Sequence, residues 1–395
     1  MASIRSDRRL KILFIPYWYP PRENQNSVSG AFVREHVMAS ALTDDVRVLA
    51  FRMEEDGYSP TARSFYVDEG IEVLDVTVHS GKRSVFRSAR LGALWIRYLA
   101  EALIRWGRPD LIHSQDMSSF FAARTAGILG VPHVVSQHWT GFMRRALTPR
   151  LTELFRRTLP GAKLVLCSNR DAEDDLLAYG IRAETTWLPN SYDPAVFYRE
   201  PGVHREESLL HVSGFSDQKR VPDILTAFRD ALPKRPGAVL HLAGDGEGRD
   251  GMEKMACDLL PEGSFVFHGF LSKSELADLM RKTSGFVFPS SAETFGCVLM
   301  EAMACGCPVL TTRAGGIPAV VREGEGLVVE VGDTAAIADG MIRMLDGTHG
   351  LDTDEIARGV EERFSRPVIA GILHAHHLRA VTGESPAGGA ETSEP

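Results

Sequence analysis

FPSSAETFGCVLMEAMACGCPVLTTRAGG, residues 288–316, decides how the rest of this chain is read. A short apolar strand over 285–288 stops at Pro289, and a polar loop carries Glu293. A helix begins near Gly296 and carries Glu301, and a second strand over 308–310 runs into Gly315 and Gly316. Strand, loop, helix and strand in that order build a parallel sheet covered by helices. The helix N-terminus offers N–H groups and a partial positive charge, which suit phosphate. Gly296 lets the backbone come close to a ligand. With one carboxylate before the helix and one inside it, the segment suits a ligand with a sugar at one end, a ribose at the other and phosphates between.

The same alternation extends outward. Strands are expected at 11–15, 46–51, 71–78, 111–113, 133–136 and 163–167, then at 209–212, 239–242, 265–267, 285–288, 308–310 and 327–329. Helices fall between them, at 31–42, 119–129, 222–231, 274–280 and 335–345 among others. Two series of six, split over 190–208, predict an α/β chain of two doubly wound domains, 1–200 and 201–365. A last helix over 366–380 has no strand after it and is expected to pack back on the first domain. The tail, 382–395, is rich in Gly, Ser, Pro and Glu and reads as disordered.

The totals agree with this organisation. The 395 residues suffice for two cores, and 44% hydrophobic with 24% charged residues is the balance of a globular chain. No apolar run approaches the roughly 18 residues of a membrane span. The basic start, MASIRSDRRLKILFIPYW, has a short apolar run ending at Pro16 and reads as a first strand, not a signal peptide. Five cysteines without framework spacing point to a reducing compartment, and Cys305-x-Cys307 lacks the second pair a zinc site needs. No nucleic-acid module or aromatic stacking motif is present.

The net charge of −8 hides an asymmetry, with 26 Lys/Arg against 23 Asp/Glu in residues 1–200 and 18 against 29 in the remainder. Much of the basic excess lies in 82–108 (Lys82, Arg83, Arg87, Arg90, Arg97, Arg105, Arg108), and Arg144 and Arg145 add to it. Between 84 and 106 these alternate with Val85, Phe86, Leu91, Leu94, Trp95, Leu99 and Leu103. The plain reading is a surface helix with a solvated basic face; the sharper one is a peripheral contact with anionic membrane or an anionic acceptor.

Ligands of doubly wound sheets bind beyond the carboxyl ends of the strands. Those ends are Trp18–Pro21 with Gly30, Ser114 with Gln115, Gln137 with His138, and Ser168 with Asn169 in the first series. In the second they are 213–220, Gly244 to Gly246, His268 with Gly269, 290–293, and Gly315 with Gly316.

Residues 288–316 resemble the nucleotide-sugar site of family 4 of the retaining GT-B glycosyltransferases, whose signature is Glu-x7-Glu. HLAGDGEG (241–248) and FVFHGFLSKSELADLMRKTSGFVFPSS (265–291) resemble that family's C-terminal domain in order and spacing. LPNSYDPAVF (188–197) resembles its interdomain crossing. PYWYPPRENQNSVSGAFVREH (16–36) and VVSQHWTGF (134–142) resemble its N-terminal domain less specifically. The resemblance implies a GT-B fold of two Rossmann-like domains facing each other across a cleft. It implies that Glu293 contacts the donor sugar and Glu301 the ribose, with Gly296 and its neighbour Phe295 at the phosphates. Lys219 in VSGFSDQKRVPD (212–223) fits the family's phosphate lysine. The usual arginine upstream is absent, where Gly214, Phe215 and Ser216 stand, and Arg220 follows instead. His138 matches a histidine that reaches the donor; Gly30 and Gly244 sit at further strand ends on the substrate. After the diglycine, Ala319 replaces the family's glutamate.

Other patterns are set aside. GDGEG (244–248) has Arg249 where a dinucleotide fingerprint needs its third glycine. Asp352-Thr353-Asp354 starts a helix, where carboxylates cap. His374, His376 and His377 on the last helix read as solvated.

The implied activity is metal-independent, retaining transfer of a hexosyl group from a nucleotide-diphosphate sugar to a glycan or lipid-linked acceptor. No cofactor is implied beyond the donor itself. Catalysis falls to His138, Lys219 and Glu293, and donor binding to the first C-terminal loop and 288–316. The basic first domain tilts the setting towards bacterial cell-surface polysaccharide made in the cytoplasm, at the inner face of the membrane. Two alternatives stand beside this: a GT-B protein that binds nucleotide sugar but is catalytically weak or partner-dependent, and a nucleotide-sugar epimerase or hydrolase.

Overall fold

Two α/β units make up the computed structural model, which describes residues 8–20, 30–54, 61–79, 85–138, 140–143 and 145–384. One unit is Met1–Ser191 with Arg366–Pro395, the other Tyr192–Ser365. Pro21, Lys82, Arg83, Arg144 and the tail beyond 384 lie outside the described residues, as do the side chains of Val85, Phe86 and Arg87.

The first unit runs β1 (Lys11–Ile15), α1 (Ala31–Thr43), β2 (Asp45–Glu54), β3 (Ala62–Asp68), β4 (Ile71–His79), α2 (Val85–Trp106), β5 (Leu111–Gln115), α3 (Ser119–Leu129), β6 (His133–Gln137), α4 (Thr140–Met143), α5 (Pro149–Thr158), β7 (Leu164–Cys167), α6 (Ala172–Leu177) and β8 (Thr185–Trp187). Among the described residues these strands form one sheet in the order β3-β4-β2-β1-β5-β6-β7-β8. Only β3 is antiparallel to its neighbour. β1 shows why its sequence is apolar throughout: Ile12 and Phe14 pack on one face with Val33 and Val37 of α1, and Leu13 and Ile15 on the other with Trp95 of α2. The sequence pattern gave six strands here, and the additions are β3 and β8. β3 is an edge strand with three of its seven residues exposed, and β8 has three residues, too few to show a period.

The second unit runs β9 (Glu206–Val212), α7 (Val221–Ala231), β10 (Val239–Ala243), α8 (Arg249–Leu259), β11 (Phe265–Gly269), α9 (Lys273–Lys282), β12 (Thr283–Phe288), α10 (Cys297–Ala304), β13 (Val309–Thr311), α11 (Ile317–Val320), β14 (Leu327–Val328), α12 (Thr334–Leu345) and α13 (Thr353–Phe364). Its sheet is parallel in the order β11-β10-β9-β12-β13-β14. Asp352 caps α13, its Oδ1 accepting from the N–H groups of Asp354 and Glu355 at 3.1 and 3.0 Å.

α14 (Arg366–Thr382) lies along α1 in the first unit, where Ile369, Ala370 and Leu373 join the core of β1 and α1. Its histidines correct the solvated reading. His377 is fully buried, with Nε2 2.9 Å from His113 Nδ1, and His374 Nδ1 lies 2.8 Å from Asp44 Oδ1. Apolar packing of α14 on α1 carries these polar side chains inward, and each finds a partner. Among the described residues no group of three or more His, Cys, Asp or Glu is arranged to hold a metal ion.

Each sheet has one switch point, where the chain leaves a strand on one side and later returns on the other. In the first sheet it lies between β1 and β5, in the second between β9 and β12.

Candidate functional site

Two loops leave the strand ends at the second switch point, 213–220 after β9 and 289–296 after β12. Lys219 rides on the first and Glu293 on the second, and Nζ contacts Oε1 directly. Their side chains are 21% and 13% exposed, so the pair is sheltered yet reachable. The ammonium also lies 4.9 Å from the centre of the Phe288 ring.

The loops are bound to each other as well. Ser290 Oγ is 3.0 Å from Gln218 O and 3.3 Å from Glu293 Oε1, and Ser291 N–H donates to Gln218 O at 2.8 Å. From below, Thr312 Oγ1 donates to Ser290 O at 2.6 Å.

His211 anchors the first loop, a role the sequence reading missed. Its Nδ1 is 2.8 Å from Val287 O, an acceptor only, so Nδ1 carries the proton. Nε2 therefore accepts from Ser213 Oγ at 2.8 Å, and Ser213 Oγ accepts from Phe215 N–H at 3.1 Å. The run fixes one tautomer and one direction of bonding from β12 through β9 into the loop. Burial, aided by the Lys219 charge, pushes the His211 pKa down to about 4, so the ring is neutral.

Glycines set the backbone spacing. A Cβ on Gly244, Gly246 or Gly248 would sit 2.0–2.1 Å from the carbonyl oxygens of Ser213, Gly214 and Phe215. The GDGEG run is thus a bed for the Lys219 loop, and Gly244 belongs to that bed. Gly316 does the same for the other loop: its N–H donates to Glu293 O at 2.8 Å, and a Cβ there would meet Thr294 O at 1.9 Å.

Gly296, at φ 90°, is the N-cap of α10, and no side chain caps that helix. The positive end of α10 therefore stands at the end of the Glu293 loop. Glu301 is partly buried one turn further on. Two of the expected binding residues read differently in the structure. The Phe295 ring is 1% exposed and edge-on to Phe364 at 5.6 Å, so it is core, and only its backbone belongs to the loop. Arg220 forks onto Asp223, Nε to Oδ2 at 2.7 Å and Nη2 to Oδ1 at 3.0 Å, because its left-handed backbone at φ 54° starts α7 and turns the side chain along it.

His138 and Gly30 belong to the first unit. Gly30, at φ 83°, caps α1, and a Cβ would press within 2.9 Å of the Trp18 backbone, so local packing alone demands glycine. His138 N–H donates to Asp116 Oδ1 at 3.0 Å, and its ring lies 4.7 Å from Phe32 and 5.2 Å from His36 between centroids. Among the described residues, both its ring nitrogens are buried without a hydrogen-bond partner, as are both amide atoms of Gln115 and of Gln137 at the same strand ends. Burial and the neighbouring His36 hold the His138 pKa well below its ordinary value, so it offers one donor and one acceptor at neutral pH.

Comparison with known proteins fits this geometry. Residues 30–196 match the family described as Glycosyltransferase Family 4, and residues 197–358 match Glycosyl transferases group 1. N-acetyl-alpha-D-glucosaminyl L-malate synthase of Bacillus anthracis is 36% identical over 167 residues, 42% of each chain. Sulfoquinovosyl transferase of Arabidopsis thaliana is 28% identical over 345 residues, 76% of this chain and 65% of its own. The chain thus covers less than two thirds of the length of these relatives. A crystal structure of Anabaena HepE in complex with UDP and glucose superposes with a TM-score of 0.71 at 19% identity, covering 94% of this chain and all of that one. The two family matches, end to end over residues 30–358, and the two doubly wound units place this chain in the GT-B glycosyltransferase superfamily.

Proposed function

We propose that the chain is a retaining glycosyltransferase that moves a hexosyl group from a nucleotide-diphosphate sugar to a glycan or lipid-linked acceptor. The observation that carries this is the contact of Lys219 with Glu293 beside the N-terminus of α10. It puts a cation for the diphosphate next to a carboxylate for sugar hydroxyls, with a helix dipole behind both. In this reading Lys219 and the α10 terminus stabilise the charge on the departing diphosphate without a metal. Glu293 orients the sugar, and Glu301 takes the ribose. Neutral His138, with two buried nitrogens to satisfy, bonds a substrate hydroxyl. The acceptor is assigned to the first unit. UDP is the first donor nucleotide to try, since HepE is described with UDP and glucose. The setting we infer is cell-surface polysaccharide synthesis in the cytoplasm.

One observation favours a second reading, a nucleotide-sugar-binding protein with weak turnover. Arg220 is held by Asp223, so the 213–220 loop brings Lys219 as its phosphate cation while Arg220 stays paired.

Calorimetric titration with UDP, GDP and ADP, repeated on Lys219→Ala and Glu301→Ala, tests the site. Binding of one diphosphate that weakens in both variants supports it, and unchanged binding in both overturns it. Sugar transfer that appears only when acceptor is added separates the transferase from the binding protein.

A further inference from the structure

The arginine-rich helix α2 has a second apolar face. Leu91, Leu94, Trp95, Leu99 and Leu103, the residues that alternate with arginines in the sequence, pack on the sheet core. That half of the pattern is ordinary core. On the opposite side, Ala89, Ala93, Ile96, Ala100 and Ile104 recur at spacings of three and four, which aligns them in one stripe. All five are exposed, Ile96 by 67% and Ile104 by 87%. Ile128, near the end of α3, is 82% exposed, and Arg108 ties α2 to that end by donating to Leu129 O at 3.1 Å. Exposed Arg90 and Arg97 flank the stripe. Between 89 and 108 four arginines face a single acid, Glu101, which is already paired with Arg63 and lies 3.9 Å from Arg105.

We propose that this face of α2 docks on an anionic lipid surface, with Ile96 and Ile104 entering the headgroup region and Arg90 and Arg97 pairing with lipid phosphates. Charge complementarity selects the occupant. A second copy of the chain would bring arginines against arginines, whereas an anionic leaflet attracts each of them. Area points the same way: a stripe of 16 residues at ~1.5 Å rise and ~10 Å width covers about 240 Å², far below the roughly 800 Å² per partner of a stable protein interface. A basic helix lying in an interface needs no such area. No helix among the described residues is long and apolar enough to cross a membrane, so the contact is peripheral. The stripe and the donor loops lie in different units, and their tests are read separately.

The test is co-sedimentation of the full chain with vesicles of phosphatidylcholine alone and of phosphatidylcholine mixed equally with phosphatidylglycerol. The chain should sediment with the anionic vesicles only, and less as salt rises. Ile96→Gln/Ile104→Gln and Arg90→Gln/Arg97→Gln should each lower the partition coefficient about tenfold, with melting temperatures unchanged because all four side chains are exposed. Equal partitioning of the variants, or no sedimentation with anionic vesicles, overturns the proposal. So does a dimer in light scattering that the isoleucine variant dissociates, which would give the stripe to a second copy.

Discussion

Lys219 and Glu293, 74 residues apart, form an ion pair across the two loops at the switch point of the second sheet. A diphosphate would compete with Glu293 for the ammonium, so the two partners should not respond alike to removal. Lys219→Ala should weaken binding of the free nucleoside diphosphate by tens of fold, the equivalent of about 1.5–3 kcal/mol for a charge-assisted bond. Glu293→Ala should leave that affinity within a few fold and act on transfer of the sugar. Titration of the diphosphate and turnover with the sugar donor read the two effects apart. Equal losses of diphosphate affinity in both variants would contradict these roles.

His211 touches neither loop tip, yet the Ser213 hydroxyl and the Val287 carbonyl both depend on it. His211→Ala leaves the Val287 oxygen without its ring donor, a cost of about 1–3 kcal/mol in stability. If His211 also positions the Lys219 loop, the folded variant should bind diphosphate more weakly. The same affinity well below the melting transition would make His211 a purely structural residue.

Much of this was readable beforehand, and the exceptions have physical causes. Runs such as Ile12–Ile15 and Gly285–Phe288 are buried on both sheet faces, which makes a strand apolar throughout and easy to see. β3 escaped because an edge strand with one exposed face looks like a polar connection. Arg220 seemed a phosphate ligand from its place beside Lys219, although Asp223 three residues on was the visible sign of a helix pair. His211 and His377 could not be read, since their partners Val287 and His113 are 76 and 264 residues away. A lone histidine in a strand or helix carries no local signal of such a bond.

Those buried histidines make acid the weak point of the fold. Burial pushes His36, His133, His211 and His376 down to about 4. The unfolded chain binds protons at these rings near pH 6.5, while the native chain refuses them until about 4. Stability is therefore fully present above pH 6.5 and falls as pH drops towards 4, by up to about 1.4 kcal/mol per pH unit for each ring. Urea denaturation across pH 4–8 checks this, and a flat midpoint between 6.5 and 4 would show that the rings protonate in place.

The tightest of these clusters holds the last helix. His377 Nδ1 lies 3.5 Å from Asp44 Oδ2, within ion-pair range but without closing a hydrogen bond. Its Nε2 is hydrogen-bonded to His113 Nδ1 at 2.9 Å, and His113 Nε2 to Ser136 Oγ at 2.8 Å. Against the cost of burial, the neighbouring His374 and His377 hold Asp44 below the usual carboxylate range. The chain Ser136, His113, His377, Asp44 thus joins β6 and β5 to α14 and to the end of α1. His377→Leu keeps the bulk but takes away the ring partner of His113 and an imidazole beside Asp44. It should cost about 1–3 kcal/mol, and the loss should be local. Amide exchange should quicken along α14 and the facing residues of α1, while β9 and α7 of the second unit keep their protection. Quickening that spreads evenly over both units would mean that α14 contributes through apolar packing of Ile369 and Leu373 and not through this relay.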